Sequence, residues 1–352
     1  MPVESEAPAP LGLAAPLLAW YDRNARDLPW RLPPGTPAVP DPYRVWLAEV
    51  MLQQTTVEAA REPYARFLAR WPTVAALAAA DDAEVMAAWA GLGYYARARN
   101  LLRCARTVAA AGGAFPRSEG ELRRLPGLGP YTAAAVAALA FGARTLPVDA
   151  NVARVGARLF ALQPEGPALL RAVGERLRPE VPADRAGDFA QALMDLGAVV
   201  CRPRAPDCPR CPLAARCHAR ALGLAEAFPR RTPRRARPTR RGSVWWVEAD
   251  GRVALVRRPP RGLLAGMLAL PGTGWSAEQP RALPFPGDWR WAAEPVRHGF
   301  THFDLVLEVA GIRLAVPPAF AEGLIWTSRD SLAGLPTVFR KAAAVGRELA
   351  RA

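Results

Sequence analysis

Few side chains in the first half of this 352-residue chain can move a proton. The three histidines, His218, His298 and His302, all follow residue 217, and the one lysine, Lys341, lies near the C-terminus. That distribution excludes lysine Schiff-base chemistry from the first two-thirds of the chain and leaves acid–base work there to Asp, Glu or Tyr. Two carboxylates stand out. Glu49 falls in the mostly apolar run PYRVWLAEVMLQQT (42–55), where a lone carboxylate is costly unless it is paired or kept for a raised pKa. A solvated Glu on the outer helix face fits the same spacing. Asp149, in the segment PVDAN (147–151), stands where a helix N-cap belongs. A third constellation is Cys201, Cys208, Cys211 and Cys217, spaced C-x6-C-x2-C-x5-C. Four thiolates so close can hold tetrahedral zinc or a [4Fe–4S] cluster, and the spacing leaves both open. Clustering of four of the five cysteines also argues against a disulfide scaffold and for a reducing compartment; Cys104 reads as a small core residue.

These residues need elements to position them. LPGLGPYTAAAVAALAFG (125–142) predicts a tight hairpin followed by an Ala-rich helix ending at Gly142. Gly127 and Gly129 tolerate positive φ, and the first N–H groups of the helix can face a phosphate oxygen; a plain helical turn is the blander reading. GLGYYARARNL (91–101) interleaves tyrosines with arginines on a turn, which suits a ring wedged into a duplex stack with arginines on phosphates, or core tyrosines beside a solvated basic face. The net charge of +14 and pI of about 10.7 favour a polyanionic partner, although the excess is nearly all arginine and accords with a biased composition too.

The hydrophobic pattern is helical to about residue 200: Leu11–Asp27 with Leu17, Leu18, Trp20 and Tyr21 inward, a helix capped by Asp41 and Pro42, short helices at 73–80 and 81–90, and further helices at 151–161, 168–177 and 188–201. Residues 1–11 read as a polar tail. PRRTPRRARPTRRG (229–242) is too rich in Pro and Arg to build a core and reads as a linker that touches DNA. Beyond it, SVWWVEADGRVALVRR predicts a hairpin turning at Asp250–Gly251, HFDLVLEVAG and RLAVP offer further strands, and 337–351 a last helix. No stretch is long and apolar enough for a membrane span, and Glu4 and Glu6 stand where a signal peptide would be basic.

LPWR (28–31), PYRVWLAEVMLQQT, GLGYYARARNL, LPGLGPYTAAAV, VDANVARV and the cysteine loop occur in the order found in the helix-hairpin-helix DNA glycosylases, the family of endonuclease III and MutY, and nearly the whole chain resembles it. The resemblance implies a multidomain protein. Residues 1–228 would form an all-α helix-hairpin-helix glycosylase domain, with the hairpin near 125–141 and an iron–sulfur loop at 201–217. The linker 229–242 would lead to an α+β Nudix-like domain, 243–352, that reads 8-oxoguanine. Only Glu278 follows LLAGMLALPGTGW, with no clustered glutamates for magnesium, so pyrophosphohydrolase activity is not expected.

Tyr131 occupies the slot where strand-cutting relatives place their lysine, so the resemblance implies a monofunctional enzyme that flips adenine out of mispairs with 8-oxoguanine or guanine. By motif match, Glu49 protonates the adenine, Asp149 stays ionised and steadies the sugar's developing positive charge, and Asn151 and Tyr131 support them. Trp30, Arg31, Leu52 and Gln191 match positions lining the adenine pocket. Gln53, Gln54, Thr55, Tyr94, Gly127 and Gly129 match DNA and opposite-base contacts, and Phe300, Thr301 and His302 match a loop that contacts 8-oxoguanine. The four cysteines would carry a [4Fe–4S] cluster. The implied partner is double-stranded DNA with adenine opposite 8-oxoguanine or guanine, bound by a monomer in the cytoplasm at the nucleoid, with no membrane. A thymine-mismatch glycosylase of the same superfamily, and a non-catalytic zinc-bearing DNA-binding protein, are the competing readings.

Overall fold

The structure, a computed structural model, describes residues 11–230, 236–259, 262–279, 281–318 and 323–351. Residues 1–10 of the expected N-terminal tail and linker residues 231–235 lie outside it. The chain divides into two compact units, Met1–Asp82 with Arg97–Pro233, and Ala83–Ala96 with Arg234–Ala352.

The described residues of the first unit form helices and turns and no strand. Helices α1 (Ala14–Asn24), α2 (Pro42–Leu52), α3 (Val57–Arg70) and α4 (Val74–Ala78) come first; α5 (Asp82–Ala88) begins at the unit boundary. There follow α6 (Ala96–Ala110), α7 (Glu119–Leu122), α8 (Pro130–Phe141), α9 (Ala150–Leu159), α10 (Gly166–Leu177), α11 (Ala186–Asp195) and α12 (His218–Ala221). The sequence sets several of these ends directly. Asp41 accepts from Tyr43 N at 2.9 Å with Pro42 at the first helical position, and α8 starts at Gly129–Pro130 and stops at Gly142, whose φ of +65° is the left-handed cap. Helix α8 is buried along Thr132–Ala138, because its alanines let α2, α7 and α11 pack close on several sides.

One predicted helix differs. The stretch expected as a helix over 188–201 is α11 followed by a π-helical turn, Leu196–Val200. Gly197, inside that turn, allows a close approach: a Cβ on it would lie 2.6 Å from Asn151 Cβ and 3.0 Å from its backbone Cα and O. The widened turn brings bare backbone against the start of α9.

In the second unit the described strands form a mixed sheet in the order β3-β2-β1-β6-β4, with β5 also on β6 and β7 on β2. They are β1 (Thr239–Ala249), β2 (Arg252–Arg257), β3 (Leu268–Ala269), β4 (Arg290–Trp291), β5 (Val296–Gly299), β6 (Asp304–Leu314) and β7 (Ile325–Ser328), and α13 (Thr337–Leu349) packs on β1 and β6. The hairpin turns at Asp250–Gly251 as the sequence reads, both with positive φ. The two strand stretches expected after residue 302 are instead one strand, β6, parallel to β1 from Thr239↔Asp304 to Ala249↔Leu314. Gly311 marks no turn there. A Cβ on it would meet Leu349 Cβ at 2.8 Å, so the glycine lets the last helix lie on the sheet.

Gly346 serves the same contact from the helix side, since a Cβ there would lie 2.5 Å from Trp246 Cβ. Replacing Gly by Ala in a helix gains up to ~1 kcal/mol of propensity, but overpacking against a buried Trp costs ~1–3 kcal/mol. Gly346→Ala is therefore expected to lower the thermal midpoint of the second unit; a rise in scanning calorimetry would contradict that close packing.

Candidate active site

A cavity of about 860 Å³ in the first unit gathers residues that are far apart in sequence. Trp30, Arg31, Glu49, Leu52, Gln53, Gln54, Thr55, Tyr131, Asp149, Asn151 and Gln191 all line it. Each comes from a defined element: the turn after α1, the end of α2 and the turn beyond it, the starts of α8 and α9, and the middle of α11.

Glu49 faces inward from α2 and is 6% exposed, which decides between the two positions its spacing allowed. Burial pushes its carboxyl up to about 7; a hydrogen bond with the Tyr131 hydroxyl and the charge of Arg31 hold it lower than burial alone would, and Asp149 pushes it up. Burial likewise raises the Tyr131 phenol well above its ordinary range, so this side chain stays a neutral donor to Glu49. Asp149 is fixed from two sides. Its Oδ1 accepts from Val152 N at 2.7 Å as the N-cap of α9, and its Oδ2 accepts from Asn151 Nδ2 at 2.9 Å. A carboxylate so placed also faces the positive end of the helix dipole. One carboxyl is thus buried with a proton available near neutrality, and a second is held by donors at a helix start.

Several supporting residues were not singled out by the sequence. Asp195 is fully buried and accepts from Arg26 Nε at 2.6 Å, Arg26 N at 3.0 Å and Arg31 Nη1 at 2.8 and 2.9 Å, so it fixes the pocket arginine. Arg154 donates to Asn151 Oδ1 at 2.8 Å, Gly197 O at 2.7 Å and Cys201 O at 2.8 Å, joining the Asp149 partner to the first cysteine. Arg97, expected on a phosphate or a solvated face, is buried instead. Its Nη1 donates to Val50 O and Met51 O at 3.0 and 2.9 Å, capping α2, and its Nη2 donates to Thr55 Oγ1 at 3.1 Å. This clamp and the 2.9 Å bond from Gln53 Nε2 to Thr132 Oγ1 hold the turn that presents Gln54, exposed with φ of +58°.

The hairpin also takes shape. Gly127 (φ +80°) and Gly129 are exposed while Leu128 is buried between them, and a Cβ on Gly127 would meet Asn100 Cβ at 2.7 Å. Tyr95 is core, whereas Tyr94 is 48% exposed with φ of +46°. Within the second unit the Tyr94 hydroxyl pairs with that of Thr301; Thr301 and His302 are exposed, and Phe300 stacks on Trp275 at 6.0 Å.

Cys201, Cys208, Cys211 and Cys217 line one small cavity, with the buried Arg158 donating to Cys201 Sγ at 3.2 Å. Burial pushes Cys211 up to about 12 and Cys217 upward, so bare thiolates are disfavoured there and bound metal cations would relieve the cost. Four thiols around one cavity are a donor set that suits bound zinc or iron.

An all-helical unit with a glycine hairpin, a cleft holding two unlike carboxyls and a four-cysteine loop defines a helix-hairpin-helix base-excision class of protein. Residues 47–179 match the family described as HhH-GPD superfamily base excision DNA repair protein, and 243–344 match a NUDIX domain. The chain is 34% identical to the human adenine DNA glycosylase, covering 92% of this chain and 72% of that protein. It is 40% identical to that of Mycolicibacterium smegmatis, covering 68% of this chain and 82% of that one. This chain belongs to the adenine DNA glycosylase family. Among solved structures, a thermostable thymine-DNA glycosylase matches with TM-score 0.51 and 31% identity over 59% of this chain and 94% of its own. An endonuclease III–DNA complex shares the fold at TM-score 0.50 and 24% identity, over 59% and 93%.

The Glu49 environment makes a prediction independent of any substrate. The folded chain holds the Glu49 proton more tightly than the unfolded chain, so stability declines as pH climbs from about 4.5 to about 7 and stays lower above that. Glu49→Gln removes the loss and should be more stable than the parent at pH 8 by roughly 2–4 kcal/mol, with the advantage vanishing toward pH 4.5. Denaturant melts across pH check this; an advantage independent of pH would place the ionisation elsewhere.

Proposed function

We propose that the chain is a monofunctional adenine DNA glycosylase that hydrolyses the N-glycosidic bond of adenine opposite 8-oxoguanine or guanine in double-stranded DNA. The observation that carries this reading is Glu49: a buried carboxyl with its pKa near 7, bonded to Tyr131, in one cleft with Asp149. An adenine flipped into the cleft leaves more readily when protonated, and Glu49 supplies that proton. The sugar left behind carries positive charge, and Asp149, held by Val152 N and Asn151, is the group that balances it. Tyr131 keeps Glu49 oriented, and with no amine among the described residues of the cleft lining the reaction ends in hydrolysis and not in a Schiff base. Trp30, set edge-on against Tyr64 at 5.3 Å, and Arg31, Leu52 and Gln191 shape the base pocket.

The rest of the reading concerns how duplex reaches the cleft. Gln54, exposed at the tip of its turn, enters the space the adenine leaves, Gln53 and Thr55 contact the duplex beside it, and the exposed backbone at Gly127 and Gly129 meets phosphate. Tyr94, Phe300, Thr301 and His302 contact the opposite 8-oxoguanine. Cys201, Cys208, Cys211 and Cys217 would hold a [4Fe–4S] cluster whose iron–thiolate bonds stabilise the loop; no step of base release passes through it. The protein acts as a monomer on nucleoid DNA. Relatives spanning both units carry the adenine name, whereas the thymine-DNA glycosylase likeness covers 59% of the chain, which favours adenine over thymine.

Single-turnover base release from duplexes with adenine opposite 8-oxoguanine, guanine or thymine, and with thymine opposite guanine, tests the reading. Adenine should leave fastest opposite 8-oxoguanine and negligibly opposite thymine, with no adduct trapped by borohydride, and the rate should fall as pH rises through about 7. Glu49→Gln should bind the mispair yet release adenine ~10²–10⁴-fold more slowly. Thymine release, or a trapped adduct, overturns the assignment. A colourless purified protein holding zinc would overturn the cluster.

A further inference from the structure

One wall of the base cleft is built differently from the rest. The segment between Arg31 and the α2 cap, residues 33–40, lines the cavity through Pro33, Gly35, Thr36, Ala38, Val39 and Pro40, yet belongs to no helix. It buries little of itself: Val39 is 77% exposed. Its hydrogen bonding is sparse as well. Thr36 N bonds back to Pro33 O at 3.2 Å within the segment. Among the described residues, the one hydrogen bond that ties 33–40 to another element runs from Gly35 N to Asp188 Oδ2, at 3.2 Å. Gly35 has φ of +70°, a conformation that turns its N–H toward that acceptor and that a side chain would strain.

The acceptor side is as rigid as the segment is loose. Asp188 sits in the first turn of α11, and Arg185, at φ +57°, donates Nε to the same Oδ2 at 2.8 Å. Arg185 is held in turn by both oxygens of Asp22 on α1, with Nη1 to Oδ2 at 3.2 Å. Next to Asp188, Gly187 lies so close to α8 that a Cβ would meet Ala138 O at 2.8 Å, so the start of α11 cannot drift from the cleft floor. The chain Asp22–Arg185–Asp188–Gly35 therefore fastens a weakly held wall to fixed helices.

We propose that Asp188, oriented by Arg185, is a positioning residue that sets base-size selectivity by latching segment 33–40 as a wall of the base pocket. The inference rests on the glycosylase reading above and adds to it which contact limits the base. A fixed wall rejects a purine carrying an extra alkyl group, because one surplus methylene in a shaped pocket is worth roughly 10–200-fold in discrimination. A wall released from its tie gives way, and the larger base is admitted. Proton donation from Glu49 depends on its burial and its bond with Tyr131, neither of which includes the latch.

The test compares single-turnover release of adenine with release of its N6-alkyl and C2-alkyl analogues, each opposite 8-oxoguanine. In Asp188→Ala the adenine-to-analogue rate ratio should fall about tenfold or more for at least one analogue. Asp188→Asn keeps an acceptor for Gly35 N and should keep the parent ratio, and Arg185→Gln should shift the ratio in the same direction as Asp188→Ala but less. Amide exchange over 33–40 should speed up in Asp188→Ala while α8 and α11 stay protected, a signature that general destabilisation would not give. If Asp188→Ala does not fold, Arg185→Gln carries the test with the same two readouts. Unchanged ratios with intact adenine release overturn the latch and leave the glycosylase reading standing. A parent enzyme that releases no adenine overturns that reading, and the latch falls with it.

Discussion

A carboxylic acid kept out of water constrains everything else in the first unit. Glu49 can hold a proton near neutral pH only while the walls around it exclude solvent, and those walls are other helices. Alanine-rich α8 supplies the closest of them: with so few atoms beyond Cβ along Thr132–Ala138, α2 and α11 approach its backbone and close the space. The position of Tyr131 follows from the same packing, since it starts α8 and reaches Glu49 from the hairpin. Asp149 experiences the opposite environment. It caps α9 and accepts two hydrogen bonds, so the cleft separates one carboxyl that resists ionisation from one surrounded by donors.

The second layer of the site consists of arginines that serve the fold before any ligand. Arg97 ends α2, Arg154 bridges Asn151 to the cysteine loop, and Arg158 is buried against that loop's backbone and Cys201 Sγ. A basic composition therefore overstates the charge available for phosphate. Buried guanidinium groups suit these positions because each satisfies several carbonyls at once, which an ammonium on a flexible stem does less well.

Much of the site was legible from residue types. A lone Glu in an apolar run, an Asp at a cap and four clustered cysteines were visible as chemistry; the two carboxyls share one cleft once the hairpin folds, and the cysteines gather around a separate cavity. Asp195 carried the same signal as Glu49, a carboxylate inside the apolar run QALMDLG, and here the signal marks a buried ion pair and not a proton donor. What the sequence could not reveal were features involving tertiary approach: the π-helical turn where Gly197 lies against Asn151, the inward turn of Arg97, and the single continuous strand through Gly311. In each case local propensity pointed one way and a long-range close contact accompanies the other outcome.

The protonation state of Glu49 is the central claim, and infrared difference spectroscopy of the parent against Glu49→Gln reads it directly. The C=O stretch of a protonated, buried carboxyl should be present at mildly acid pH and titrate away with a midpoint of about 7. A spectrum showing Glu49 already ionised at pH 5 would contradict the account, because Glu49 would then have no proton to give the base.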